Sequence, residues 1–158
     1  MMLVMTSPTV VLTPVRWLWT IVKRLSESHE AEKRQHREEM MEAADEFAIG
    51  VQQAITGVRD ALQRPARELA DVSVVWKAQP EVMRLVGEAE ARLARVGRIF
   101  EPESGTASSA EAAIQELNRG AQLLGMTGTN LEGAANAATS AEAHLRRFNE
   151  AAGRAIRA

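Results

Sequence analysis

Cysteine and tyrosine are both absent from the chain, and three tryptophans and three phenylalanines are its only aromatic residues. Without cysteine there is no disulfide framework, no thiolate metal site and no thiol nucleophile. Proline is scarce. Pro8, Pro14, Pro65, Pro80 and Pro102 all lie outside the long periodic runs, where each would cost about 3 kcal/mol. No strand-like alternation extends beyond about five residues. Neither sign of charge dominates. The net charge of −2 argues against a nucleic-acid footprint.

What is present favours helix. Alanine, leucine, arginine and glutamate dominate, and these are good helix formers. The 158 residues suit one domain, or one domain with an appendage. Such a length can bury a core without disulfides or metal.

Charge changes abruptly along the N-terminal third. Residues 1–25 carry only Arg16, Lys23 and Arg24 as charged residues. Residues 26–50 carry eight acids against Lys33, Arg34 and Arg37. Thr13-Pro14 reads as a helix N-cap followed by a first helical position, where the missing proline N–H costs nothing. The next breaker is Pro65, so about 50 residues read as one helix of roughly 75 Å. It divides into three parts. Pro14–Leu25 is apolar on most faces. Ser26–Glu39 has Ala31 as its only apolar residue. The pairs Lys23–Glu27, Glu30–Arg34 and Arg34–Glu38 support a helical neck there. From Met40 a heptad-like stripe runs through Ala44, Phe47, Val51, Ile55, Val58 and Leu62, as a core helix requires. Met40-Met41 reads as core filler.

Three further helices complete an all-α reading: an up-down four-helix bundle over residues 40–158 with a long, protruding first helix. Residues 66–76 read as a short helix or a helix followed by an extended turn. Gln79-Pro80 then opens a helix with the stripe Val82, Leu85, Val86, Ala89, Leu93, Val96 and Phe100. Arg92, Arg95 and Arg98 suit the dipole at its C-terminal end. After a loop, Ser108 with Glu111 has the spacing of a capping box. Ile114, Leu117, Ala121 and Leu124 face the core, and Gly125 suits the C′ position. Thr129 with Glu132 has the same capping spacing. The last helix carries Leu131, Ala135, Ala138, Leu145, Phe148, Ala152 and Ile156. Its alanines allow close approach but add little apolar area.

The apolar start is the functional candidate. Residues 2–22 contain one charge, Arg16, but two prolines interrupt them, and Arg16 at a bilayer centre would cost about 2.5–3.5 kcal/mol. From Pro14 onward the apolar piece is roughly 18 Å long, too short to cross. A secretory signal fits poorly, since no basic start and no small-residue cleavage site frame it. Trp17 and Trp19 lie about 200° apart on a helix, so one core face cannot take both. Lys23 and Arg24 stand beside them, placed to meet anionic lipid. The expected contact residues are Val15, Trp17, Leu18, Trp19, Ile21, Val22, Lys23 and Arg24. They would meet a membrane surface, a partner protein or second copy of the chain, or the chain's own bundle. If the segment spans, Lys23-Arg24 place the bundle in the cytoplasm.

Candidate chemistry is thin. His29 and His36 share a helical face, but a solvated helix explains them better than a metal site. The Glu-x-x-His pattern of di-metal bundles is missing, because Ser26, Lys33 and Ala141 precede the three histidines at that spacing. Gly125–Thr129 lacks the lysine of a phosphate-binding loop. Arg146, Arg147, Arg154 and Arg157 suit the dipole of the last helix, with an acidic partner or anionic lipid as the alternative.

In composition and element order, Glu30–Leu62 followed by Val82–Phe100 resembles uncharacterised small helical proteins of high-GC actinobacteria. Those have an N-terminal membrane segment, a charged helix and a four-helix bundle. The resemblance covers about two thirds of the chain and implies no activity, catalytic residue or cofactor. The expected function is a non-enzymatic, membrane-associated interaction or scaffold protein. The alternatives are a soluble oligomeric subunit of a larger assembly, with residues 1–25 docking into a partner, and a metal- or small-ligand-binding bundle.

Overall fold

A computed structural model describes residues 13–68, 73–126 and 130–158. It contains four α-helices: α1 (Thr13–Glu68), α2 (Ser73–Ile99), α3 (Thr106–Leu124) and α4 (Leu131–Arg157). A short 3₁₀ turn at Pro102–Ser104 precedes α3. No strand occurs among the described residues.

The chain divides into two compact units between Glu38 and Glu39. The second unit is an up-down bundle. Gly50 of α1 lies against Ala89 and Arg92, and Gly57 against Val82 and Leu85, so α1 and α2 run antiparallel. Gly120 of α3 faces Ala134 and Ala137, and Gly133 of α4 faces Leu123, which makes those helices antiparallel too. Phe47 of α1 packs against Phe148 of α4 in a tilted ring pair and closes the bundle.

One continuous core fills it. Met40, Ala44, Phe47, Val51, Ile55 and Val58 are buried and Leu62 is partly so, as the periodicity requires. Ala43, Ala54 and Ala61 join them on the same helix. Met41 is instead exposed, because its neighbour Met40 occupies the core-facing position and adjacent helical residues point about 100° apart. On α2 the buried set is Val75, Ala78, Val82, Val86, Ala89 and Val96, and Phe100 is buried just past its end. On α3, Ile114, Leu117, Ala121 and Leu124 are buried.

The helix limits differ from expectation in four places. First, α1 continues past Pro65 to Glu68. Second, α2 begins at Ser73, so Pro80 lies inside a helix rather than at its start. Val75 and Ala78 continue the core stripe backward from Val82, and their burial outweighs the backbone hydrogen bond that proline removes. Third, Ser108 is no N-cap. The N-cap of α3 is Gly105, at φ 71°, with no side-chain cap. Ser104 serves the helix start instead, its hydroxyl accepting the Thr106 N–H at 3.2 Å. The Ser108 hydroxyl donates to the Gly105 carbonyl. Fourth, the N-cap of α4 is Asn130, while Thr129 lies outside the described residues.

Gly125 does end α3, but at φ −90° rather than in a left-handed turn. Its missing side chain makes room for Gln79, whose amide donates to the Ala121 carbonyl at 3.1 Å. On α4, Ala138, Leu145, Phe148 and Ala152 are buried as expected, and one alanine of the expected face is misplaced. Ala135 is exposed, and Ala134, Ala137, Ala138 and Ala141 are buried.

Candidate functional site

In the first unit, residues 16–38 are helical and exposed, with the single exception of half-buried Ile21. Lys23 and Glu27 pair at 3.9 Å. The pairs expected at Glu30–Arg34 and Arg34–Glu38 do not form. Five large apolar side chains face solvent within nine residues: Trp17 (66 % exposed), Leu18, Trp19 (70 %), Val22 and Leu25. Arg16, Lys23 and Arg24 are exposed among them. Val15 belongs to α1, but its side chain lies outside the described residues, as does everything before Thr13.

The helical conformation fixes how these side chains are distributed. Each residue advances about 100° around the axis. Arg16, Thr20, Lys23 and Arg24 therefore share one strip about 100° wide. Trp17, Ile21, Leu25, Leu18, Val22 and Trp19 follow in that order around the other side, over an arc of about 200°. Leu18 and Leu25 stand at its middle. Trp17 and Trp19 stand at its two margins, beside Arg24 and Lys23 respectively. The segment is thus apolar on most faces, as its sequence suggested, but not on all of them. It is amphipathic, with a narrow basic side and a wide apolar one. The Thr20 hydroxyl donates to the Arg16 carbonyl at 2.9 Å, which satisfies the one neutral polar side chain on the basic strip. Among the described residues, no helix is long and apolar enough to cross a membrane.

The bundle offers a second surface. A groove of about 580 Å³ runs between α1 and α2. Ile49, Gln53, Thr56 and Asp60 line it from α1, and Val82 and Leu85 from α2. Gly57 lets Leu85 approach, since a Cβ there would stand 2.9 Å from the Leu85 Cδ1. Glu81, also lining the groove, is held by Arg84, which bridges Glu81 and Glu88. The hydrogen bond from Arg84 holds the Glu81 carboxyl below its ordinary range.

Several other charged groups tie helices together. Arg95 joins Glu42 and Glu46 across the α1–α2 interface, and Arg92 donates to the Glu46 carbonyl at 3.1 Å. Only Arg98 of the three arginines lies in the last turn of α2, so Arg92 and Arg95 act through a neighbouring helix rather than through the dipole. Linear sequence carries no signal of such lateral contacts. Arg154 and Arg157 do sit in the last turn of α4. His29 and His36 are exposed. Among the described residues no three acidic or histidine side chains are placed to hold a metal ion.

No protein-family model, curated protein or solved structure matches the chain.

Proposed function

We propose that the protein is a non-enzymatic helical adaptor that attaches to a membrane surface through residues 16–25 and presents its bundle for interaction. The supporting observation is the exposure of Trp17, Leu18, Trp19, Val22 and Leu25 together beside three cations. Single exposed apolar residues are ordinary on protein surfaces, but a contiguous group marks a contact. Tryptophan suits a boundary between lipid and water, because its ring is apolar and its N–H seeks a polar partner.

Flotation of the full chain with vesicles tests this reading. The wild-type protein should rise with the vesicles, and the Leu18→Ser/Val22→Ser/Leu25→Ser variant should stay at the bottom. Wild-type protein left at the bottom would defeat the proposal.

A second reading is a soluble oligomer in which residues 16–25 of one copy seat on another. The groove between α1 and α2 favours it, with Val82, Leu85 and Asp60 in its lining. Light scattering without detergent distinguishes the two. A discrete oligomer that the triple serine variant reduces to monomers supports the second reading.

A further inference from the structure

We infer that residues 16–25 lie flat in the headgroup layer of an anionic leaflet, with Leu18 and Leu25 lowest and the basic strip facing water and phosphate. This rests on the membrane reading and adds an orientation and a lipid class to it.

The width of the apolar arc argues first. A helix packed on one protein surface typically needs an apolar stripe little wider than about 100°. Here the arc covers about 200°, and its described large side chains are exposed apart from the half-buried Ile21. A planar lipid interface accepts such a width, because acyl chains flow around the whole lower half of the helix.

The margins argue second. In a helix lying flat, the two edges of the apolar arc sit at the polar–apolar boundary. Trp17 and Trp19 occupy those edges. Each indole can bury its ring while its N–H reaches the wet layer. In a helix standing upright, those two positions would have no special relation to the boundary.

Charge argues third. Arg16, Lys23 and Arg24 share the strip opposite Leu18 and Leu25, and no acid stands among residues 1–26. A basic polar face of this kind is drawn to anionic headgroups. Long basic side chains also keep their stems against apolar surface while the charge stays in water. Length argues last. Residues 16–25 extend only about 15 Å, which a bilayer core exceeds twofold.

The absence of cysteine from the chain makes the orientation measurable with the native tryptophans in place. Leu18→Cys, Leu25→Cys and Thr20→Cys full-length proteins would each carry one nitroxide label. Binding would be to vesicles of one part phosphatidylglycerol and two parts phosphatidylcholine, with depth read by power saturation. Labels at positions 18 and 25 should lie at equal depth inside the acyl boundary, and the label at 20 should lie in water. A depth difference of about 10 Å between 18 and 25 overturns the flat orientation while leaving the membrane reading intact. Wild-type binding should fall at least tenfold on pure phosphatidylcholine. Lys23→Gln/Arg24→Gln should weaken binding to the anionic vesicles about 30-fold at low salt. Equal binding to both compositions overturns the anionic assignment alone. Wild-type protein that binds neither composition defeats both the inference and the reading beneath it. In that case, a discrete lipid-free oligomer assigns the arc to a protein partner.

Discussion

The rings of Phe47 and Phe148 meet with centroids 4.8 Å apart and planes inclined at 56°. Both side chains are fully buried, and they join the first helix to the last. This contact closes the bundle, because α1 and α4 are neighbours in space but not in sequence. A tilted aromatic pair adds about 0.5–1.5 kcal/mol beyond the area it buries. Phe148→Ala should therefore destabilise the bundle by about 3–5 kcal/mol, and Phe148→Leu by much less. Urea unfolding of the three proteins measures this. A cost under about 1 kcal/mol for the alanine variant would mean that the pair does not close the core.

Pro80 offers a direct check on where α2 begins. If the helix starts at Ser73, as the structure has it, Pro80→Ala restores an interior N–H and should stabilise the protein by about 2 kcal/mol. If the helix started at Pro80, the same change would remove a favoured first residue and be neutral or harmful. Thermal melts followed by circular dichroism separate the two outcomes by sign.

Two glycines should respond oppositely to alanine. Gly87 is exposed on α2, with nothing near the position of an added Cβ. Gly87→Ala should stabilise by about 0.5–1 kcal/mol, as helix propensity dictates. Gly105 stands at φ 71° between the 3₁₀ turn and α3. Gly105→Ala should cost about 1–2 kcal/mol, because a Cβ disfavours the left-handed region. Denaturant midpoints of the two variants should move in opposite directions.

The ion pair between Arg59 and Glu142 should show itself through pH. The two groups meet at 2.7 Å across α1 and α4. The hydrogen bond and charge of Arg59, helped by Arg146, hold the Glu142 carboxyl below its ordinary range. A lowered folded value means the pair stabilises fully above the unfolded value and loses its effect as pH falls through the folded one. Glu142→Gln should therefore lower the melting temperature slightly at neutral pH. The difference should shrink in high salt and vanish in strong acid. A gap between variant and wild type that persists unchanged in acid would show that the carboxylate charge is not its source.

How legible the fold was depended on side-chain size. Val51, Ile55, Val58, Val86, Val96 and Leu117 are large and apolar at helical spacing, so the phase of their helices could be read directly. The α4 face could not be phased as well. Alanine stands at 134, 135, 137, 138, 141 and 143, and pattern alone does not say which alanines are inside. Local rules failed where tertiary contact outweighed them. Pro80 suggested a helix start, but Val75 and Ala78 had apolar surface to bury. Ser108 with Glu111 had capping spacing, but Ser104 stood closer to the true first turn. The candidate site was readable in its residues and less so in its arrangement. Counting apolar residues over 15–25 hid the strip formed by Arg16, Thr20, Lys23 and Arg24, which emerges once the segment is placed on helix α1.

The seam between α3 and α4 has a thermal consequence. Gly120 faces Ala137 so closely that an added methyl would stand 3.2 Å from the alanine Cβ. Alanine and glycine have no rotamers to freeze, so packing them loses little side-chain entropy. They also hide little apolar surface, which is what gives unfolding its heat capacity. A bundle held partly by such a seam should have a shallow stability curve for its length. Its resistance to unfolding then varies slowly between cold and warm conditions, in contrast to a core of the same size built from leucine and phenylalanine.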